Sequence, residues 1–186
     1  MKVVKVEPVV PVVSMTWMIG SRCNYACSYC PDELHDSTSA HPELDTLKQV
    51  WQNFYDKTHA MELPYKISFT GGEVTANRSF LPLVEYLNDN FDIDQIIVST
   101  NGSASTDYYL RLAKLVDAIS FSIHSEFWKE EKFFETVIAV NAVMTRPKKS
   151  CHVNIMDESW NQHNFSRYQE LLNRHNVSHS INLIHD

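Results

Sequence analysis

Short β-prone runs recur at roughly thirty-residue intervals, each followed by an amphipathic stretch, and this rhythm limits the chain to few folds. MTWMIG (15–20), YKISFTGG (65–72), QIIVSTNG (95–102), DAISFSIH (117–124), CHVNIMD (151–157) and SINLIHD (180–186) each read as a strand. Between them, Leu44, Leu47, Trp51 and Phe54 repeat at helical spacing, as do Phe80, Leu83, Val84 and Leu87. Tyr109, Leu112 and Val116 form a third such face. Phe133, Phe134, Val137 and Val140 form a fourth, ahead of Pro147, and Phe165, Tyr168, Leu171 and Leu172 a fifth. Strand–helix alternation implies parallel strands joined by right-handed crossovers. A complete eight-unit barrel takes about 250 residues, and 186 residues leave room for six units. The expectation is an α/β fold, a partial (β/α)6 TIM-like barrel open on one side. Residues 1–14 read as an extended lead-in and 15–186 as one core domain.

Composition narrows the function. No apolar run approaches the roughly 20 residues that span a bilayer. The opening carries Glu7 and two prolines and lacks a small-residue cleavage site, so it does not read as a signal peptide. A net charge of −7 argues against a nucleic-acid partner, whose phosphates call for a basic surface. Three of the four cysteines fall within eight residues, CNYACSYC from Cys23 to Cys30. A clustered odd set suits a metal in a reducing, cytoplasmic setting better than a disulfide framework. All four glycines, Gly20, Gly71, Gly72 and Gly102, fall at the ends of the first three strands, the rim where such folds gather their chemistry. Ordinary turns are the plainer explanation for them; close approach of backbone to a ligand is the functional one. Two metals fit the thiols. Zinc would take a tetrahedral Cys3His set completed by His35. An iron–sulfur cluster held by three cysteines would keep one iron open to an outside ligand. The remaining Cys151 starts a strand, at the opposite rim, and is too distant to be a fourth ligand.

Cys-x3-Cys-x2-Cys after the first strand resembles the radical S-adenosylmethionine (radical SAM) superfamily. Further matches follow in order: TGGE, Thr70 to Glu73, ends the second strand; STNGS, 99–103, ends the third; FSIHS, 121–125, ends the fourth. The resemblance implies that Cys23, Cys27 and Cys30 hold a [4Fe–4S] cluster whose open iron takes the amino and carboxylate groups of S-adenosylmethionine. It implies reductive cleavage to a 5′-deoxyadenosyl radical that abstracts hydrogen from a small-molecule or peptide substrate. Gly71 and Gly72 are then backbone contacts, Glu73 an acceptor for the amino group, and Tyr29 an adenine contact. Thr100, Asn101, Ser122 and His124 are candidate polar contacts, and Asn154 and Met156 candidates for reaching adenine. Each has a plainer reading: Glu73 as a helix cap, Thr100 and Asn101 as a local turn, His124 as a satisfied core histidine.

The polar loop carrying His35, Asp36 and His41 would shape the mouth, and FWKEEKFF (127–134) reads as a helix start with a solvated face. With no cysteine after Cys151, a single cluster is expected. Val74 stands where the family commonly has proline. A one-electron donor such as flavodoxin or ferredoxin is implied, and a protein partner would cover the open barrel side. The alternative is a zinc or cluster module with a structural or regulatory role.

Overall fold

The six β-prone segments pair side by side in chain order. The structure, a computed structural model, describes residues 11–31, 35–145 and 147–184. Its sheet comprises β1 (Val13–Met18), β2 (Tyr65–Thr70), β3 (Gln95–Thr100), β4 (Ala118–Ile123), β5 (Ser150–Asp157) and β6 (Ser178–Leu183). All neighbours are parallel, in the order β1-β2-β3-β4-β5-β6. β1 and β6 do not pair with each other, so the barrel stays open. The helices α1 (Leu44–Thr58), α2 (Phe80–Asn90), α3 (Thr106–Leu115), α4 (Glu130–Val143) and α5 (Phe165–Arg174) fill the crossovers. Among the described residues no helix is long and apolar enough to cross a membrane.

β1 starts at Val13, ahead of the expected Met15. Pro11 has no N–H to give a ladder, and pairing begins two residues on, where Val13 N–H donates to Pro64 O at 2.9 Å. Residues 1–10 of the expected lead-in, and residues 185–186 of the expected sixth strand, lie outside the described residues.

Alternation along each strand sends large apolar side chains to the helices. Ile67 and Phe69 on β2, Ile119, Phe121 and Ile123 on β4, and Val153 and Ile155 on β5 are fully buried there. They meet the helix faces read from the sequence: Trp51, Leu83, Leu87, Leu112, Val137, Val140 and Tyr168. Ring contacts knit the layers, Phe69–Phe80 at 5.2 Å and Tyr109–Phe121 at 5.0 Å between centroids. Truncating one such aromatic to alanine costs about 3–5 kcal/mol, so these pairs fix how the helices sit on the sheet. The opposite face carries small polar groups: Asn154 Nδ2 donates to Ser120 Oγ at 2.8 Å, and Ser180 Oγ to Asn154 Oδ1 at 3.3 Å. Cys151 is buried at the start of β5, where burial pushes its thiol up to about 12.

Candidate active site

The connection from β1 to α1 is long and folds back over the strand ends. Its base is closed by two backbone bonds, Cys23 N–H to Asp36 O at 2.8 Å and Asp36 N–H to Ser21 O at 2.9 Å. The Asp36 carboxylate adds Ser21 Oγ and the N–H groups of Thr38 and Ser39. The same loop lies on the turn after β2: Gly72 N–H donates to Gly20 O at 2.9 Å and Glu73 N–H to Arg22 O at 3.0 Å. That contact explains the paired glycines. A Cβ at Gly71, where φ is +130°, would stand 2.3 Å from Gly20 O, and one at Gly72 would stand 2.3 Å from Ser21 O and Arg22 O. The backbone that needs the room belongs to the cysteine loop.

Between this loop and the strand ends lies a cavity of about 200 Å³. Cys23, Cys30, His35, Gly71, Gly72, Thr100, Asn101, Ser122 and His124 line it, with Thr70, Ser99 and Tyr25. Nine residues singled out in the sequence thus meet in one place. Glu73 is not among them. It is 2% exposed and turned behind the wall, where Oε1 accepts from Thr75 N–H at 2.9 Å, Thr75 Oγ1 at 2.5 Å and Thr100 Oγ1 at 2.7 Å, and Oε2 from Asn101 N–H at 2.7 Å. Thr100 also shares a 2.7 Å bond with the buried Tyr109 hydroxyl. Glu73 therefore caps the short turn Val74–Ala76 and ties the ends of β2 and β3 together. Burial raises its carboxyl above the usual range, against the pull of these donors.

The far wall belongs to β4. Ser122 and His124 lie on the face opposite Ile119, Phe121 and Ile123, as strand alternation requires. His124 Nδ1 shares a 2.5 Å bond with the Tyr29 hydroxyl, and the two rings stack at 6.0 Å. Burial lowers the His124 pKa to about 4, partly countered by Glu126. Tyr29 faces the neighbouring cavity instead. Asn154 stays inside the barrel, bonded to Ser120 and 3.5 Å from Ser122 Oγ. Met156 adjoins it on β5. His41 lies outside this cavity, beside Arg22.

Several contributors carry no motif. Tyr25, a mere spacer in CNYAC, lines the cavity, stacks on Phe127 at 5.7 Å, and donates its N–H to Cys23 Sγ at 3.4 Å. Asn24 Oδ1 accepts from Asn101 Nδ2 at 3.0 Å. Glu126 reaches the loop tip, taking the Ser28 N–H at 3.1 Å and the Ser28 hydroxyl at 2.6 Å. Aromatic identity at Tyr25 was a usable signal; an acidic residue after β4 was not.

The thiols are close enough that the charges of their neighbours raise the pKa of Cys23 and Cys27, though burial is the larger cause, lifting Cys27 to about 12. Among the described residues no three His, Cys, Asp or Glu side chains are placed as ligands of a single ion. His35 lies along the cavity with Nδ1 3.4 Å from Pro31 O. Three soft sulfur donors carried by one loop suit an iron–sulfur cluster. Both Cys23 and Cys30 face that cavity, so the donor set fits.

The family model described as the Radical SAM superfamily matches residues 17–144. A GTP 3′,8-cyclase of Pasteurella multocida is 31% identical over 124 residues, covering 67% of this chain and 32% of that protein. An S-adenosylmethionine-dependent nucleotide dehydratase of Selenomonas ruminantium is 35% identical over 85 residues, covering 46% and 28%. The chain matches only about a third of the length of these curated relatives. Among solved structures, Streptococcus suis SuiB bound to its precursor peptide SuiA superposes with a TM-score of 0.69 at 14% identity, covering 94% of this chain and 40% of that one. SuiB bound to S-adenosylmethionine gives 0.66. At such identity these structures speak for the fold.

Proposed function

The chain belongs to the radical SAM superfamily, whose enzymes use a [4Fe–4S] cluster and S-adenosylmethionine, and on that premise we propose how its own residues serve that chemistry. Cys23, Cys27 and Cys30 hold the cluster, and the cavity bordered by Cys23 and Cys30 receives S-adenosylmethionine. When bound, the pair supplies one-electron cleavage of the sulfonium and a radical that removes hydrogen from an organic substrate. The backbone at Gly71 and Gly72, the side chains of Thr100 and Asn101, and Ser122 and His124 across the cavity orient the ligand. Glu73 acts from behind, fixing Thr100 and the Asn101 backbone in the cavity wall. Tyr29 and Asn154 stand behind His124 and Ser122 at the adenine end. His124, neutral above about pH 4, offers a ring nitrogen without a charge.

One observation carries this reading: the three-cysteine loop and the glycine pair are joined by backbone bonds around a shared cavity. Its 200 Å³ falls short of the roughly 300–1,000 Å³ of small-molecule sites, so the open mouth completes it. The substrate is a small molecule or a peptide. The relatives' nucleotide names favour the first and the SuiB peptide complex the second. A one-electron donor such as flavodoxin or ferredoxin supplies the reducing equivalent, and a partner surface covers the open side, where Ile181 and Leu183 stand exposed on β6.

The test is formation of 5′-deoxyadenosine from S-adenosylmethionine by anaerobically reconstituted, dithionite-reduced protein. Turnover lost in Cys27→Ala is the expected result. No product from protein with full iron and sulfide content refutes the reading.

A further inference from the structure

A larger cavity of about 410 Å³ opens between the cysteine loop and the β5–α5 connection, walled by Tyr29, Asp157, Glu158, Trp160 and Gln162. It adjoins the first across one hydrogen bond, from Tyr29 to His124. Two independent features give it a chemistry. The first is a fixed aromatic wall. Trp160 is 50% exposed, yet its indole N–H donates to Ser125 Oγ at 3.0 Å. Ser125 is in turn held by Glu158 through its backbone N–H and its hydroxyl. A half-exposed indole anchored at its nitrogen presents its ring face in one orientation.

The second is carboxylate charge with no cationic partner. Glu158 is 1% exposed, and a buried carboxylate ordinarily has a cationic partner. Among the described residues no lysine or arginine forms an ion pair with Glu158, with Asp157, or with Glu126 beside Ser28. None lines either cavity, although the chain has 16 lysines and arginines. Glu158 already accepts from Ser125 at both oxygens, so Asp157 is the carboxylate open to a ligand; beside the indole face it attracts a cation through charge-assisted hydrogen bonds, as the ring does through its quadrupole.

We infer that this cavity is the specificity subsite for the substrate, and that it takes a planar cation, the guanidinium of an arginine in a peptide. The inference rests on the proposed function for its link to catalysis. A triphosphate, carrying several negative charges, meets no counter-charge here.

The test uses the cluster-loaded, oxidised protein with ¹⁵N-labelled tryptophan indoles. Four signals are expected, and Trp160→Phe identifies the one that matters. The probes are acetyl-Gly-Arg-Gly-amide, acetyl-Gly-Glu-Gly-amide and GTP. The arginine peptide is expected to move the Trp160 signal saturably, and the other two to leave it in place. Asp157→Asn keeps an oxygen for Gln162 and removes the charge, weakening the arginine peptide about tenfold. An indifferent Trp160 signal, an equal response to the glutamate peptide or GTP, or unchanged affinity in Asp157→Asn overturns the inference. The effect of S-adenosylmethionine on the reduced cluster's spectrum, recorded on the same protein, keeps the two readings apart. Its loss refutes the proposed function, while its presence beside an indifferent Trp160 refutes the subsite alone.

Discussion

Replacing Glu73 by glutamine separates the carboxylate's charge from its shape. Four donors converge on it, three at Oε1 and the Asn101 N–H at Oε2. An amide keeps one acceptor oxygen. Placed at Oε1, it preserves three bonds and turns its NH2 onto the Asn101 N–H, donor against donor. The reverse placement sets NH2 against the Thr75 N–H, while the two threonine hydroxyls must turn to accept. At least one buried backbone N–H is stranded either way, at about 1–3 kcal/mol, and the surviving bonds lose their charge assistance. Together these effects come to roughly 2–4 kcal/mol. At about 2–4 °C per kcal/mol for a chain of this size, Tm falls by roughly 5–15 °C. The rival possibility is specific. Burial raises this carboxyl, and were it protonated at neutral pH, glutamine would imitate it at almost no cost. Thermal unfolding of metal-free protein at pH 7, followed by circular dichroism, decides. Glu85→Gln, on the partly exposed pair with Arg111, serves as control. A Glu73→Gln melting point indistinguishable from that control refutes the charged clamp.

Gly72→Ala places a Cβ 2.3 Å from two carbonyl oxygens of the cysteine loop, so the loop must move; a loss of roughly 2–4 kcal/mol should show in urea unfolding, with iron bound below stoichiometry. Cys27→Ala should lose iron and sulfide outright. Cys151→Ala, buried toward α4 and away from the cavity, should keep both at a cost of about 1 kcal/mol; equal iron loss in the two variants contradicts the ligand assignment. His124 has a folded pKa of about 4 against an ordinary 6.5, so the fold favours its neutral form. The stability it contributes is complete above pH 6.5 and declines as pH falls toward 4, by no more than about 3 kcal/mol. Urea unfolding from pH 7.5 to 4.5 should show a flatter pH dependence in His124→Gln; an unchanged slope counts against the assignment.

The fold was legible because both periodicities are undisguised. Ile119, Phe121 and Ile123 alternate with serines, and Phe80, Leu83, Val84 and Leu87 recur at helical spacing, since the helix layer and the open interior demand opposite chemistries. The start of β1 was less so, because Val13 sits in a valine run broken by prolines. At the site, strand ends and glycines could be placed from sequence, but not the direction a side chain takes from a turn. Glu73 points behind the cavity because Thr75, Thr100 and the Asn101 N–H converge there, an arrangement that exists only once β2 and β3 are paired. Tyr25 falls at an unspecified position of Cys-x3-Cys, and Glu126 and Glu158 belong to loops whose partners, Ser28 and Ser125, are 98 and 33 residues distant. Such contacts leave no local pattern.

The central claim is that the three cysteines would hold a cluster able to bind S-adenosylmethionine beside the Gly71–Gly72 cavity. Electron paramagnetic resonance of the reconstituted, reduced protein, with and without S-adenosylmethionine, tests it most directly. A [4Fe–4S]⁺ signal that shifts on adding S-adenosylmethionine is the predicted result. A signal indifferent to the ligand, or iron that never assembles on the intact loop, contradicts it.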